Sequence, residues 1–546
     1  MSYITPRARG GTSGECESCQ PRRSAITAGQ LTLRDLLVGA VDRFDDRPAV
    51  TSGGETLTYG ELATQANGLS RFLVECGVAP GTPVALMMSN GLEYVVADQA
   101  VLRCGGAKAP LNDLLGVRDA EYILRDSSAV VAIATPSQLS RAVPVLADPE
   151  TALQTLVVVG PEPPDPPPGA VSWDDAVGVG AHTPPEIAVA PTDVALLVYT
   201  GGTTGAPKGV VHAQAGLALN VLSHVVEIGF GDDERLVITS PLPHSSGLHL
   251  QAGMVKGAHA FVESGFDPQI VLERIESDRA TFLFAVPTMI YRLLDHVRMV
   301  VADRDADFSS LRTILYGAVP ITVDRLTEGL ATFGPVFMQL YGQTEAPNFI
   351  TRLTREDHDP ARPERLTSCG RPVAMARVRI VDDHDNECPA GGIGEVTAMT
   401  PYTMTGYHGL PEKTAQTVRD GWLYTGDLGR VDPDGYLYLV DRKNDLIITG
   451  GMNVYSTEVE NAIAELEGVA QVAVIGAPHP DWGEAVIACV VSAGALNPDE
   501  VIAHCRKRLS RYKIPKQVRL VEELPLTALG KLDKKALRAY VSGDNE

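Results

Sequence analysis

Tyr199-Thr200-Gly201-Gly202-Thr203-Thr204-Gly205-Ala206-Pro207-Lys208-Gly209-Val210 gathers permissive glycines, threonine hydroxyls and one cation into a short stretch. Gly201, Gly202 and Gly205 lack a Cβ, so their main-chain N–H groups can close around an anion as a concave nest. Thr200, Thr203 and Thr204 add hydroxyls, and Lys208 adds a full positive charge against outer phosphates. The run Val194 to Val198 just upstream is apolar and partly β-branched. It predicts a buried strand that delivers the loop to a sheet edge. The stretch reads as a polyphosphate-holding loop, with a Gly/Thr-rich surface turn as the plainer alternative. It is not a Walker A loop, which needs Gly-Lys-Ser/Thr; here Pro207 precedes Lys208 and Gly209 follows it.

The bulk properties bound what such a loop can serve. A chain of 546 residues predicts roughly three or four lobes or subdomains. Apolar residues make up 44% and charged residues 21%, as in a soluble globular protein. The formal net charge of −22 argues against a nucleic-acid partner, since no cation excess exists to neutralise a phosphate backbone. No apolar run reaches about 18 residues, so no membrane span is expected, and the N-terminus lacks a signal-type apolar segment. The eight cysteines are scattered, which suggests reduced thiols and a cytoplasmic location. Cys16 and Cys19 form a single C-x-x-C pair in a Gly/Ser/Arg-rich stretch, read as a flexible tail rather than a metal site.

Residues 1–30 read as a disordered leader. Thr58-x-x-Glu61 is a capping box; Leu62, Ala66, Leu69 and Leu73 follow at helical spacing, with Gly77 as a C-terminal stop. Strands are expected at Val84 to Met88, Val130 to Ala134 and Leu156 to Val159. This alternation implies layered α/β structure with parallel sheets. Pro161 to Gly169 reads as a linker or surface loop. After the strand Tyr436 to Val440 come Gly450-Gly451, a helix from Ser456 to Leu466, a strand at Val472 to Ile475 and a helix at Pro498 to Leu509. These last hundred or so residues can bury a small α+β core of their own. The division expected is 31–443 and 444–546.

Five further stretches carry candidate chemistry. Pro243-His244-Ser245-Ser246-Gly247 and Tyr316-Gly317-Ala318-Val319-Pro320 each follow a short apolar run. Tyr341-Gly342-Gln343-Thr344-Glu345 follows Val336 to Met338. Tyr424-Thr425-Gly426-Asp427-Leu428 places a carboxylate after a turn, and Asp441-Arg442-Lys443-Asn444-Asp445 lies downstream of it. Pro525 to Lys531 ends in Gly530-Lys531. Taken singly, Glu345, Asp427 and Arg442 could each be surface charges, and His244 a structural loop histidine.

In order and register, these stretches and the Thr/Gly loop resemble the motifs of the adenylate-forming superfamily, which includes acyl-CoA and aryl-CoA synthetases. The likeness is to 4-coumarate and benzoate ligases and to aryl-acid AMP ligases, and it extends from about residue 31 onward. The fold it implies is a large N-terminal domain of layered α/β subdomains with a distorted barrel, plus a small mobile α+β C-terminal domain. The reaction it implies joins a carboxylic acid to the α-phosphate of ATP, giving acyl-AMP and pyrophosphate, and then passes the acyl group to coenzyme A. The resemblance assigns Thr200, Thr203, Thr204, Gly205 and Lys208 to the phosphates. Gly317, Ala318 and Val319 wall the adenine, and Tyr341 and Gly342 border it, Tyr341 by stacking. Thr344 is assigned to the α-phosphate, Glu345 to Mg²⁺, and Asp427 with Arg442 to the ribose. Lys531 is the expected catalytic lysine, an ammonium aimed at the charge that develops on the α-phosphate.

His244 would gate the acyl tunnel. The acyl pocket would comprise His244, Ser245, Gly317, Gly342, Pro347 and Asn348. Glycines on two walls suggest room for a flat group, and Ser245 and Asn348 suggest hydrogen bonds to a ring hydroxyl. Hence the expected acid is aromatic (benzoate, hydroxybenzoate such as salicylate, or cinnamate type), with a medium-chain fatty acid as the alternative. Gly450 and Gly451 would border the pantetheine, and Asn444 is the expected hinge. A separate carrier protein is the alternative acceptor; a non-catalytic nucleotide- or acyl-binding regulator is a remote one. Three positions depart from the usual pattern: His244-Ser245 where carrier-loading aryl ligases often show His-Asn, Asn444 where Asp or Lys is usual, and Ser456 where Pro is common.

Overall fold

Two large sheets built from buried apolar strands carry the N-terminal part. The computed structural model describes residues 30–41, 43–113, 115–160, 167–178, 180–200, 207–301, 306–526 and 532–543. The leader, Cys16 and Cys19 therefore lie outside the described residues. The first sheet has nine strands, from Arg371–Pro372 at one edge through Ala346–Leu353, Phe337–Gln343, Thr313–Tyr316, Phe282–Phe284 and Arg235–Ile238 to His259–Val262, Pro48–Ser52 and Glu55–Thr58. Its inner strands run parallel. The second has eight, from Gly406–Tyr407 and Lys208–Ala213 through Val194–Thr200, Ala107–Pro110, Pro83–Met87 and Val131–Ala134 to Thr155–Val158 and Ala170–Ser172. A central strand such as Val131–Ala134 is buried along its whole length, which is why it is uniformly apolar rather than alternating. Val131 and Ile133, taken fully from water, each contribute about 1.5–3 kcal/mol.

Local signals in the sequence act as expected. The helix Tyr59–Glu75 starts at the capping box: Thr58 Oγ1 accepts from the Glu61 amide at 3.2 Å, and Glu61 Oε2 accepts from the Thr58 amide at 2.8 Å. Gly77 follows the helix with φ +88°, a conformation that favours glycine. The strands expected near residues 84, 130 and 156 are present as Pro83–Met87, Val131–Ala134 and Thr155–Val158.

A third sheet has five antiparallel strands, including Gly394–Met399, Trp422–Val431 and Leu437–Arg442, and its strand pairing is that of an open sheet. The fourth, also five-stranded, begins at Ile447–Thr449 and pairs the long strands Val469–His479 and Gly483–Ser492. The helices Ser456–Ala464 and Pro498–Arg508 belong to this part. Apolar clusters around Val474, Val486 and Ile463, and around Ile475 and Leu537, give it a core of its own.

The first sheet's core contains a knot of rings. His249 lies 5.1 Å from His224 and 4.6 Å from Phe284 between ring centroids, and His224 lies 4.8 Å from Phe349. Burial lowers the His224 pKa to about 4 and that of His249 well below its ordinary value. Both nitrogens of His249 lack a hydrogen-bond partner among the described residues. An unsatisfied buried polar group costs about 1–3 kcal/mol. A folded-state pKa below the unfolded one means the native state refuses a proton that the unfolded chain accepts. Stability from these imidazoles is therefore full above pH ~6.5 and falls as pH drops through that value. His249→Phe is expected to raise the urea midpoint at pH 7.5, and to raise it further at pH 5. An equal or smaller gain at pH 5 contradicts this reading.

Candidate active site

The strands Val194–Thr200 and Lys208–Ala213 pair antiparallel, with Thr200 opposite Lys208. The Thr/Gly loop therefore joins the ends of a hairpin; Thr203, Thr204 and Gly205 lie outside the described residues. Lys208 opens the return strand, its ammonium 4.9 Å from the centroid of the Tyr407 ring. Burial lowers its pKa; Glu345 works against that shift and Lys413 adds to it.

Gln343 pairs with Ala346 across the hairpin of Phe337–Gln343 and Ala346–Leu353, so Thr344 and Glu345 form its tip. The tip is held by main-chain bonds. His212, kept neutral by burial with a pKa of about 4, donates from Nε2 to Thr344 O at 2.8 Å. The Met404 amide donates to Glu345 O at 2.8 Å. The Tyr407 hydroxyl donates to Glu345 Oε1 at 2.7 Å. Glu345 Oε2 carries no hydrogen bond among the described residues. One free carboxylate oxygen beside a phosphate loop fits Mg²⁺, which takes few protein ligands and completes its octahedron with phosphate and water. Among the described residues no group of three His, Cys, Asp or Glu is placed to hold a metal.

The ribose candidates meet through register. Asp427 lies directly opposite Arg442 in the third sheet, and Arg442 Nε is 2.8 Å from Asp427 Oδ1. Asp427 Oδ2 accepts from the Tyr341 hydroxyl at 2.6 Å and from Gln343 Nε2 at 2.8 Å. Burial pushes the Asp427 pKa up, opposed by Arg442 and by these two hydrogen bonds. Tyr341, expected to stack on the adenine, is 7% exposed within an apolar cluster containing Ile350 and Val396, and its hydroxyl orients the Asp427 carboxylate.

At the end of Thr313–Tyr316 the chain turns sharply: Ala318 has φ +70° and Val319 is 41% exposed. A non-glycine residue in this region costs about 1–3 kcal/mol and marks a constrained segment.

On the acid side, His244 sits in a π-helical turn, Leu242–Ser246, with φ −110° and ψ −151°, a distortion common at functional sites. Asn112 Nδ2 donates to His244 Nε2 at 2.9 Å. Ser245 Oγ donates to Asn348 Oδ1 at 2.5 Å, and Asn348 Nδ2 donates to His224 Nε2 at 2.8 Å. His224 Nδ1 then donates to Asn220 O at 2.7 Å, and Asn220 Nδ2 to Pro347 O at 2.8 Å. The Ser245 hydroxyl and one Asn348 N–H are therefore already bonded within the protein, and a ring hydroxyl would have to use their remaining acceptor or donor positions. The glycines need a correction. A Cβ on Gly317 would lie 2.7 Å from Leu340 O, and one on Gly342 would lie 2.6 Å from Asn348 C. Both permit close main-chain packing and do not open space for substrate.

The structure thus brings Lys208, Thr344 and Glu345 to one side, Asp427 and Arg442 to another, and His244, Ser245, Pro347 and Asn348 to a third. Gly450 and Gly451 are exposed in the small domain, where the Gly450 amide donates to Trp482 O at 2.8 Å. Asn444 lies in the short turn Lys443–Asp445. Lys531 is outside the described residues; the segment containing it is flanked by the bridge Leu526↔Leu532. The sequence assigns no role to Tyr407, Gln343, Asn112 or His212. Tyr407, Asn112 and His212 lie outside the quoted motifs, Gln343 lies inside one without a charge of its own, and each acts on a site residue 62 or more positions away.

Comparisons with known proteins give the family. Residues 38–408 match the family described as AMP-binding enzyme, and residues 458–531 match the AMP-binding enzyme C-terminal domain. The chain is 38% identical over 521 residues to a medium/long-chain-fatty-acid–CoA ligase, FadD8, of Mycobacterium tuberculosis, covering 92% of this chain and 89% of that one. It is also 38% identical over 494 residues to a feruloyl-CoA synthase of an Amycolatopsis species, covering 90% and 95%. The solved amide bond synthetase McbA of Marinactinospora thermotolerans superposes with a TM-score of 0.82 at 33% identity, covering 93% of this chain and 99% of that one. With both family domains matched in order over a site of this geometry, the chain belongs to the AMP-binding enzyme family of AMP-forming ligases.

Proposed function

We propose that this protein is an ATP-dependent carboxylic acid:CoA ligase acting on an aromatic acid. The observation that carries the adenylation reading is the Glu345 carboxylate, fixed at a hairpin tip by Tyr407, whose ring lies beneath the Lys208 ammonium. A cation and a half-free carboxylate side by side suit a metal-bound triphosphate. Mg²⁺ held by Glu345 Oε2 would neutralise phosphate charge when bound. The chain's own groups position the reactants and meet developing charge. Asp427, steadied by Tyr341, Gln343 and Arg442, accepts from the ribose diol. The acid's carboxylate, beside His244, attacks the α-phosphorus as pyrophosphate leaves. Lys531 stabilises charge gained in that step, and a thiol then displaces AMP from the acyl carbon. We place the boundary between the two working domains at Asn444, between the third and fourth sheets.

The preference for an aromatic acid is supported by the feruloyl-CoA synthase relative; the rings of His224, Phe349, His249 and Phe284 pack in the core behind Asn348. Relatives at equal identity act on fatty and on feruloyl acids by name, so an acid panel decides. Pyrophosphate release is expected to be at least about tenfold faster with hydroxybenzoates or cinnamates than with octanoate or decanoate, a gap of about 1.4 kcal/mol. The reverse order overturns the aromatic assignment, and production of acyl-CoA from free CoA separates this reading from a carrier-protein acceptor.

Two variants test the roles. Tyr407→Phe removes one hydrogen bond to Glu345 and should lower kcat/KM for MgATP about tenfold while leaving thioester formation from supplied acyl-AMP unchanged. Lys531→Ala should reduce ATP–pyrophosphate exchange by about 100-fold or more, again sparing the second step. Equal loss of both steps contradicts either assignment.

A further inference from the structure

Ser456 departs from the usual proline and sits where the two domains meet. It opens the helix Ser456–Ala464 and is fully buried. Its amide donates to Asp441 Oδ2, and its hydroxyl donates to Asp441 Oδ1 at 3.1 Å. Asp441 is itself buried, on the strand Leu437–Arg442 and next to the ribose candidate Arg442. The same Ser456 hydroxyl accepts from Lys534 Nζ at 2.7 Å. Lys534 also pairs with Glu460 at 2.8 Å, and Glu460 accepts from the Val474 amide at 2.8 Å. The carboxylate at a helix start adds a favourable dipole interaction, and its hydrogen bonds are charge-assisted. A proline here would supply neither the N–H nor the hydroxyl.

Asp441 precedes Asn444 and Ser456 follows it. Any rotation of the small domain about Asn444 moves Ser456 and leaves Asp441 behind. The Asp441–Ser456 bonds therefore belong to the present orientation, in which the Gly450–Gly451 turn is exposed. Two flanking contacts lie on opposite sides of the same turn: Lys443 pairs with Glu395 of the large domain at 2.9 Å, and Arg538 of the small domain pairs with Asp445 at 2.7 Å.

We propose that Ser456 is a positioning residue, a latch through Asp441 and Lys534 that favours the domain orientation used for adenylation over the one used for thiol attack. This rests on the two-step ligase reading above. The test compares the full-length protein with Ser456→Ala and Ser456→Thr by two measurements. The first is the rate of tryptic cleavage after Lys443, which needs no substrate. The second is the ratio of ATP–pyrophosphate exchange to thioester formation from supplied acyl-AMP. Ser456→Ala should be cut about fivefold faster and lower the ratio about fivefold, since it removes the hydroxyl's bonds to Asp441 and from Lys534 while keeping the amide bond; Ser456→Thr, which keeps the hydroxyl, should restore both. Unchanged cleavage and ratio in Ser456→Ala overturn the latch. So does a parallel fall of both half-reactions that Thr fails to rescue, since that marks a folding role. If no acid supports exchange in the unaltered protein, the ligase reading fails, while the cleavage comparison still decides the latch.

Discussion

Tyr407, Glu345 and Lys208 solve an electrostatic problem for a protein of net charge −22. A triphosphate approaching such a surface is repelled unless the local field is reversed. Lys208 supplies the cation, held over the Tyr407 ring, where the quadrupole favours positive charge. The Tyr407 hydroxyl takes one lone pair of Glu345 and fixes its carboxylate, so the other oxygen is available to a divalent ion. The three residues come from three strands or turns: the return strand of the phosphate hairpin, the tip of a second hairpin, and the short strand Gly406–Tyr407. The antiparallel pairing of Tyr407 with Val210 fixes the distance between them. The rest of the site is arranged around this anchor.

Supporting groups are as buried as the anchor is constrained. His212 and His224 are both held neutral, and each spends its hydrogen bonds on the main chain or amide of a site segment. Neutral imidazoles of this kind orient the Thr344 turn and the Asn348 amide without adding charge next to a polyanion. The positive φ values of Ala318 and Asn348, +70° and +64°, show where the backbone carries strain; both lie on the expected walls of the nucleotide and acyl sites.

Much of the fold and the polyphosphate side was legible in sequence because it is written in local patterns. Apolar runs marked the parallel strands, Thr58 and Glu61 marked a helix start, and the run Val194 to Val198 marked the strand that leads into the Thr/Gly stretch. What was not legible is long-range pairing. Nothing near Tyr407 announces a partner 62 residues away. Ser245 and Asn348 read as open polar groups because the bond between them spans 103 residues. Gly317 and Gly342 read as space because a missing Cβ looks the same whether a ligand or a neighbouring main chain lies beside it. Ser456 stood out only as a departure, and its contacts with Asp441 and Lys534 give that departure a physical content.

We propose that the Lys208–Tyr407–Glu345 cluster and the Asp427–Arg442 pair hold opposite ends of one nucleotide. A crystal structure with Mg²⁺ and a non-hydrolysable ATP analogue tests it most directly. The account predicts the triphosphate against Lys208, the metal on Glu345 Oε2, and both ribose hydroxyls on Asp427. A nucleotide bound with its ribose away from Asp427, or with its metal held by residues other than Glu345, would contradict it.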